Sequence, residues 1–155
     1  MNSLIIMVGL PGAGKDTYIK DKGYKEKGYK IVSSDDIRME LFGYESQSNN
    51  KEVFEEMRKR TKECGKQKET VVYNATNLSA KRRKRLAQEM KKYFDEIIVI
   101  ALETDEETIL KRNEDRVERQ IPVNHLKQLI RTYQSPMLSE YEYDNIVYIM
   151  NYRGD

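Results

Sequence analysis

Gly9-Leu10-Pro11-Gly12-Ala13-Gly14-Lys15-Asp16-Thr17 is the stretch on which the reading of this chain turns. It directly follows an apolar run at residues 4–8 and opens onto a helical pattern at 15–21. Glycines at 9, 12 and 14 let the backbone wrap around phosphates with its N–H groups turned inward. The start of a helix adds a favourable dipole, and Lys15 is placed to reach the β- and γ-phosphates of a nucleotide. One position departs from the usual pattern. Asp16 stands where a Ser or Thr hydroxyl ordinarily meets Mg²⁺, and Thr17 follows it. A carboxylate can also ligate Mg²⁺; alternatively, Asp16 is an acid satisfied by the helix dipole.

Working outward, four more short runs rich in Ile and Val or closed by Tyr occur at 29–32, 70–73, 97–102 and 146–149. Such runs suit strands buried on both faces of a parallel sheet. Helical patterns lie between them at 35–42, 51–66, 79–93, 105–118 and 122–133. Thr104 and Glu107 have capping-box spacing, and Pro122 suits a first helical turn. Strand alternating with helix predicts one α/β domain over residues 1–155, with helices on both faces of a parallel sheet. Ligands of such sheets bind beyond the carboxyl ends of the strands.

The polar residues gather at those ends. Ser33-Ser34-Asp35-Asp36-Ile37-Arg38 closes the second strand. Asp35 and Arg38 share a helical face, so a carboxylate able to accept a proton sits beside a guanidinium able to hold phosphate. The alternative is a cap with a surface ion pair. Asn74-Ala75-Thr76-Asn77 ends the third strand, where a metal-orienting Asp is common. Thr76 and Asn77 either contact phosphate or cap the following helix. Arg112, Arg116 and Arg119 read as a basic stripe along one helix and its exit, over phosphates or in solvent. Lys81-Arg82-Arg83-Lys84-Arg85 is denser and points all round a helix, either solvated or touching nucleic acid. His125 and Cys64 read as structural. Of the eleven tyrosines, some could stack on bases and most suit the core.

Composition narrows the class. The 155 residues are 35% charged and 38% hydrophobic, and 28 basic residues nearly balance 26 acidic ones for a net charge of +2. That balance excludes a highly basic nucleic-acid coat, though not a local basic groove. A single cysteine excludes an intrachain disulfide and a cysteine zinc site, and suits a reducing cytosol. No run approaches the roughly 20 apolar residues of a membrane span, and no export signal is read at the N-terminus. A cytoplasmic protein without membrane partners is expected.

Together these pieces resemble the kinase domain of phage-type polynucleotide 5′-hydroxyl kinases. The matching stretches are Gly9-x4-Gly14-Lys15, residues 34–38, residues 71–78, Leu110-Lys111-Arg112-Asn113-Glu114-Asp115-Arg116, and Ile121-Pro122-Val123 with its helix. The resemblance runs to about Tyr133 and implies a P-loop kinase fold using ATP and Mg²⁺ on 5′-OH ends of DNA or RNA. It implies an ATP site of Gly9, Pro11, Gly12, Ala13, Gly14, Lys15, Asp16, Thr17, Arg112 and Arg116, with Asp16 toward the metal. Lys15 and Arg116 would act on the phosphates, Asp35 would be the base, and Arg38, Thr76 and Asn77 would join Asp35 in holding the acceptor. Family members often carry an added phosphatase or ligase domain, and a stand-alone kinase is expected here. Two other classes share the phosphate loop: small-molecule kinases acting on nucleosides or nucleotides, and nucleotide-binding modules with little catalysis.

Overall fold

A computed structural model describes residues 1–43 and 50–154. Its elements, in chain order, are β1 (Ser3–Val8), α1 (Lys15–Asp21), β2 (Lys30–Ser33), α2 (Ser34–Phe42), α3 (Asn50–Lys66), β3 (Val71–Asn74), α4 (Ala80–Met90), β4 (Glu96–Glu103), α5 (Glu106–Asp115), α6 (Val123–Thr132) and β5 (Asn145–Met150). The five strands form one sheet in the order β2-β3-β1-β4-β5. Every neighbouring pair is parallel.

Side chains alternate across a strand, and β1 feeds two cores in this way. Leu4, Ile6 and Val8 face Val53 and Met57 of α3 and Leu86, Ala87 and Met90 of α4. Ile5 and Met7 face Tyr18 and Ile19 of α1, Ile109 of α5 and Leu126 of α6. Helices therefore cover both faces, as the sequence pattern predicts. The edges differ from the centre. β3 is buried throughout, whereas β5 is half-exposed, with Tyr148 and Met150 open to solvent. β1 pairs with β3 on one side and β4 on the other. The chain crosses to one side after β1 and to the other after β3, so a crevice opens between the carboxyl ends of those two strands.

Three local expectations are corrected. Asp105, not Thr104, caps α5: its carboxylate accepts from the Thr108 N–H at 2.8 Å. Thr104 keeps a buried hydroxyl with no hydrogen-bond partner among the described residues. α5 ends at Asp115 rather than 118, because Arg116 turns to an extended conformation and Arg119 adopts a φ of 61°. The three arginines are thus a helix, its end and a loop, not one helical stripe. Pro122 stands at the N-cap of α6, one residue ahead of the helix.

The basic run on α4 also divides. Lys81, Arg82, Lys84 and Arg85 are exposed, but Arg83 is fully buried. Its guanidinium donates to both carboxylate oxygens of Glu140 (2.9 and 2.8 Å) and to the carbonyls of Asn77 and Gln134 (both 2.6 Å). A fully paired buried arginine of this kind pins the segment after α6 to the exit of β3. Cys64 is half-buried, and burial pushes its thiol up from the ordinary value, which suits an inert side chain. His125 is exposed on α6. Tyr18, Tyr24, Tyr73 and Tyr143 are core residues.

Candidate phosphate-transfer site

The loop between β1 and α1 takes the conformation its glycines allow. Gly12 and Gly14 have φ of 89° and 94°, a region side-chain-bearing residues rarely enter. The Ala13 N–H donates to the Leu10 carbonyl at 2.9 Å, closing a tight turn. The Lys15 ammonium lies over this turn and donates to the carbonyls of Gly9 (2.8 Å) and Leu10 (3.2 Å). It is therefore held at the loop by contacts that phosphate oxygens can replace.

The exit of β3 is tied to the loop. The Gly9 N–H donates to the Thr76 carbonyl at 3.0 Å. Asn77, with a φ of 50°, donates its side-chain amide to the Met7 carbonyl at 2.6 Å. Thr76 is thus brought to the loop, while the Asn77 side chain is turned onto β1. Neither caps α4; Ser79 does, accepting from the Arg82 N–H. Asn74, at the last position of β3, donates to the Asp16 carboxylate at 2.8 Å.

Arg112 and Arg116 approach from α5. A methyl group at Gly12 would lie 3.7 Å from the Arg112 Cβ and 4.0 Å from the Arg116 guanidinium. Arg112 donates to the Gly12 carbonyl at 2.8 Å and to the Tyr152 carbonyl at 2.6 Å. The segment after β5 is the feature the sequence reading missed. The Thr17 hydroxyl donates to the Gly154 carbonyl at 3.3 Å, and any Cβ at Gly14 would overlap the Arg153 carbonyl oxygen. Arg153 and Tyr152 both bond Asp21, and this holds the Asp21 carboxyl below its usual range, Arg153 being the larger cause. Residues 152–154 thus lie along the loop and α1. No spacing rule in the sequence signals that contact.

The acceptor side is built on α2. Asp35 accepts from Arg38 at 3.1 Å, and Arg119 reaches the other carboxylate oxygen at 3.9 Å. Asp35 is 44% exposed, whereas Arg38 is 4% exposed. Ser33, outside the helix, takes the N-cap position with no side-chain cap bond, so neither Ser34 nor Asp35 is the cap. Arg38 also donates to the Asn50 side chain at 2.6 Å, and its buried Nε has no hydrogen-bond partner among the described residues. An incoming phosphate oxygen would satisfy that donor. The sequence pattern puts Arg119 in a stripe with Arg112 and Arg116; the end of α5 at Asp115 breaks that register and carries Arg119 to Asp35 instead.

Mg²⁺ usually keeps several waters and takes only one or two protein carboxylates beside substrate phosphates. The residues present fit that demand. Among the described residues no three His, Cys, Asp or Glu side chains cluster as a protein-only metal cage. Asp16 is exposed beside the loop, and its partner Asn74 keeps a buried Oδ1 with no hydrogen-bond partner among the described residues. The surface depression of about 590 Å³ bounded by Lys62, Gln88, Glu89 and Tyr93 lies at the opposite end of the sheet from this chemistry. Among the described residues no helix is long and apolar enough to cross a membrane.

A family model described as an AAA domain matches residues 4–136. Solved structures share the architecture. Kti12 of Chaetomium thermophilum, in complex with ADP-AlF3, superposes with a TM-score of 0.70 at 18% identity, covering 95% of this chain and 88% of that one. A gluconokinase from Sinorhizobium meliloti gives 0.68 at 16% identity, covering 97% and 83%. A chain of the Pnkp1/Rnl/Hen1 RNA repair complex gives 0.69 at 24% identity, covering 84% of this chain and 43% of that one. The present chain therefore spans less than half the length of that last relative. At these identities the likeness carries the fold alone, a parallel-sheet P-loop kinase fold.

Proposed function

This chain belongs to the AAA-domain family matched over residues 4–136, and on that premise we propose that it is an ATP- and Mg²⁺-dependent kinase acting on 5′-hydroxyl ends of DNA or RNA. The observation that carries this reading is the Asp35–Arg38 pair at the start of α2. A half-exposed carboxylate stands beside a buried guanidinium whose Nε lacks a partner. A base must reach a hydroxyl, and an adjacent phosphate on the acceptor gives Arg38 its ligand.

In this reading Lys15 exchanges the Gly9 and Leu10 carbonyls for oxygens of the β- and γ-phosphates. The loop amides of residues 12–17 hold the same phosphates, and Asp16 stands toward the metal. Mg²⁺, when bound, neutralises charge on the β- and γ-phosphate oxygens. Asp35 accepts the proton of the 5′-hydroxyl as its oxygen forms a bond to the γ-phosphorus. The bond from that phosphorus to the β–γ bridging oxygen breaks, and ADP leaves with the electron pair. Arg116, beside Gly12, offsets charge spread over the equatorial oxygens in the transition state. Arg112 links Gly12 to Tyr152 and keeps the loop in place from the side of the nucleotide. Thr76, and Asn77 through its hold on β1, shape the floor between loop and acceptor.

A second reading is a small-molecule kinase, favoured by how fully Arg38 is enclosed and by its existing bonds to Asp35 and Asn50. Labelled ATP with a 5′-OH oligonucleotide, a 3′-phosphorylated nucleoside and a free nucleoside separates the two. The oligonucleotide and the 3′-phosphorylated nucleoside should be phosphorylated far faster, and Arg38→Ala should narrow the gap by slowing those two. Equal rates on all three acceptors would hand the site to the small-molecule reading.

A further inference from the structure

The sheet's crevice brings two departures from the ordinary phosphate-loop site into direct contact. Magnesium in such sites is ordinarily held by a hydroxyl on the loop-to-helix junction and an Asp on a neighbouring strand. Here the junction carries the acid, Asp16, and the strand end carries a neutral amide, Asn74. The two side chains meet at 2.8 Å. We infer that Asp16 and Asn74 are an exchanged metal pair: the carboxylate has moved from the strand to the loop, and Asn74 positions it and a water of the cation. This inference rests on the nucleotide-kinase reading above.

The direction of the hydrogen bond argues for it. The Asn74 amide nitrogen donates to the Asp16 Oδ1. Turning the amide over would set its oxygen against the carboxylate, two acceptors face to face. Asp16 thereby fixes the orientation of Asn74, and the Asn74 Oδ1 is left buried with no donor among the described residues. Asn74 is only 6% exposed, so bulk water does not readily serve that oxygen. A metal-bound water can only donate, and it is the partner that oxygen requires. Site charge is conserved by the exchange, with one carboxylate in either arrangement, while its position relative to the loop changes. Asp16 is exposed and accepts from Asn74 through Oδ1, so its second oxygen would serve the cation or a water on it. A purely structural link between loop and strand would need neither a charge at residue 16 nor an unpaired acceptor at residue 74.

The test measures ADP affinity by calorimetry with and without Mg²⁺, and Mn²⁺ bound with ADP by electron paramagnetic resonance. Asp16→Asn keeps shape and can keep the bond to Asn74, but removes the charge. Partners of this kind are worth roughly 10- to 100-fold in metal affinity, so Asp16→Asn and Asp16→Ser should each lose about that much of the Mg²⁺ response. Asn74→Asp alone places two carboxylates side by side, and its melting temperature should fall without metal and recover with it. The double exchange, Asp16→Ser with Asn74→Asp, rebuilds the ordinary arrangement and should bring Mn²⁺ affinity back to within about threefold of the parent. Two results overturn the exchange with the nucleotide reading intact: ADP binding in Asp16→Asn with an unchanged Mg²⁺ response, or a double exchange as poor as the singles combined. A parent protein that binds no ADP at all removes the nucleotide reading and the exchange with it.

Discussion

Lys15 and Asp35 are the two side chains whose chemistry most directly decides the site. Lys15 is already at the loop, on the Gly9 and Leu10 carbonyls. Its transfer to phosphate creates a contact that strengthens as charge moves to the leaving oxygen. Lys15→Ala is expected to lower turnover by about 100- to 1,000-fold, read in a single-turnover assay; more than half the parent rate would place the nucleotide elsewhere. Asp35→Asn makes a different statement. The amide oxygen can still accept from Arg38, so α2 and its packing survive, but no proton can be taken. Nucleotide affinity should be unchanged while transfer falls by roughly 100- to 10,000-fold. Normal turnover in that variant would reduce Asp35 to an anchor for Arg38 and Arg119.

Among the elements, α4 joins stability to the site. Arg83 on α4 holds Glu140 and the carbonyl of Asn77, and Asn77 in turn holds the end of β1. Burial pushes the Glu140 carboxyl up, but hydrogen bonds from Arg83 and Tyr143 and the Arg83 charge outweigh it, and the net shift is downward. A carboxyl lowered in the folded state adds stability above its unfolded pKa, about 4.3. That stability is lost as pH falls through the folded value. Glu140→Gln should therefore cost about 3 kcal/mol near neutral pH, because Arg83 keeps a buried charge without its counter-ion. It should also flatten the loss of stability below about pH 4.3, measured by urea unfolding across pH; parallel curves for parent and variant would refute the linkage. Arg83 also shows where the sequence stops being legible. In the string Lys81–Arg85 nothing distinguishes the one inward residue from four solvated ones except the 3.6-residue period with Leu86, Ala87 and Met90. β1 and β3 were legible because both faces are apolar. The loop was legible because three glycines and a lysine leave few other readings. The start of α5 was misplaced by one residue because Thr104 and Asp105 both suit a cap, and tertiary packing decided for Asp105. The contact of residues 152–154 with Gly14 joins segments about as far apart in sequence as the chain permits, and no local pattern encodes it.

For the molecule as a whole, the acceptor series described above addresses substrate class, and the chain topology governs how the sheet assembles. That assembly turns on β1, which lies at the centre of the sheet although it comes first in the chain. Its partners are remote: Ser3 bonds Thr70 across 67 residues on one side and Glu96 across 93 on the other. All pairings are parallel, so no hairpin can start the sheet, and large loops must close before β1 gains any partner. During synthesis the apolar run from Leu4 to Leu10 thus waits, sticky, without β3 until about half of the chain has been made and without β4 until about two-thirds. A fragment of residues 1–69, which lacks β3 and β4, is expected to show no cooperative melting and to aggregate at micromolar concentration, as followed by circular dichroism and light scattering; a cooperative melt would contradict this. The charged third of the sequence then has a task before any catalysis begins: keeping an orphaned central strand in solution while its neighbours are still being translated.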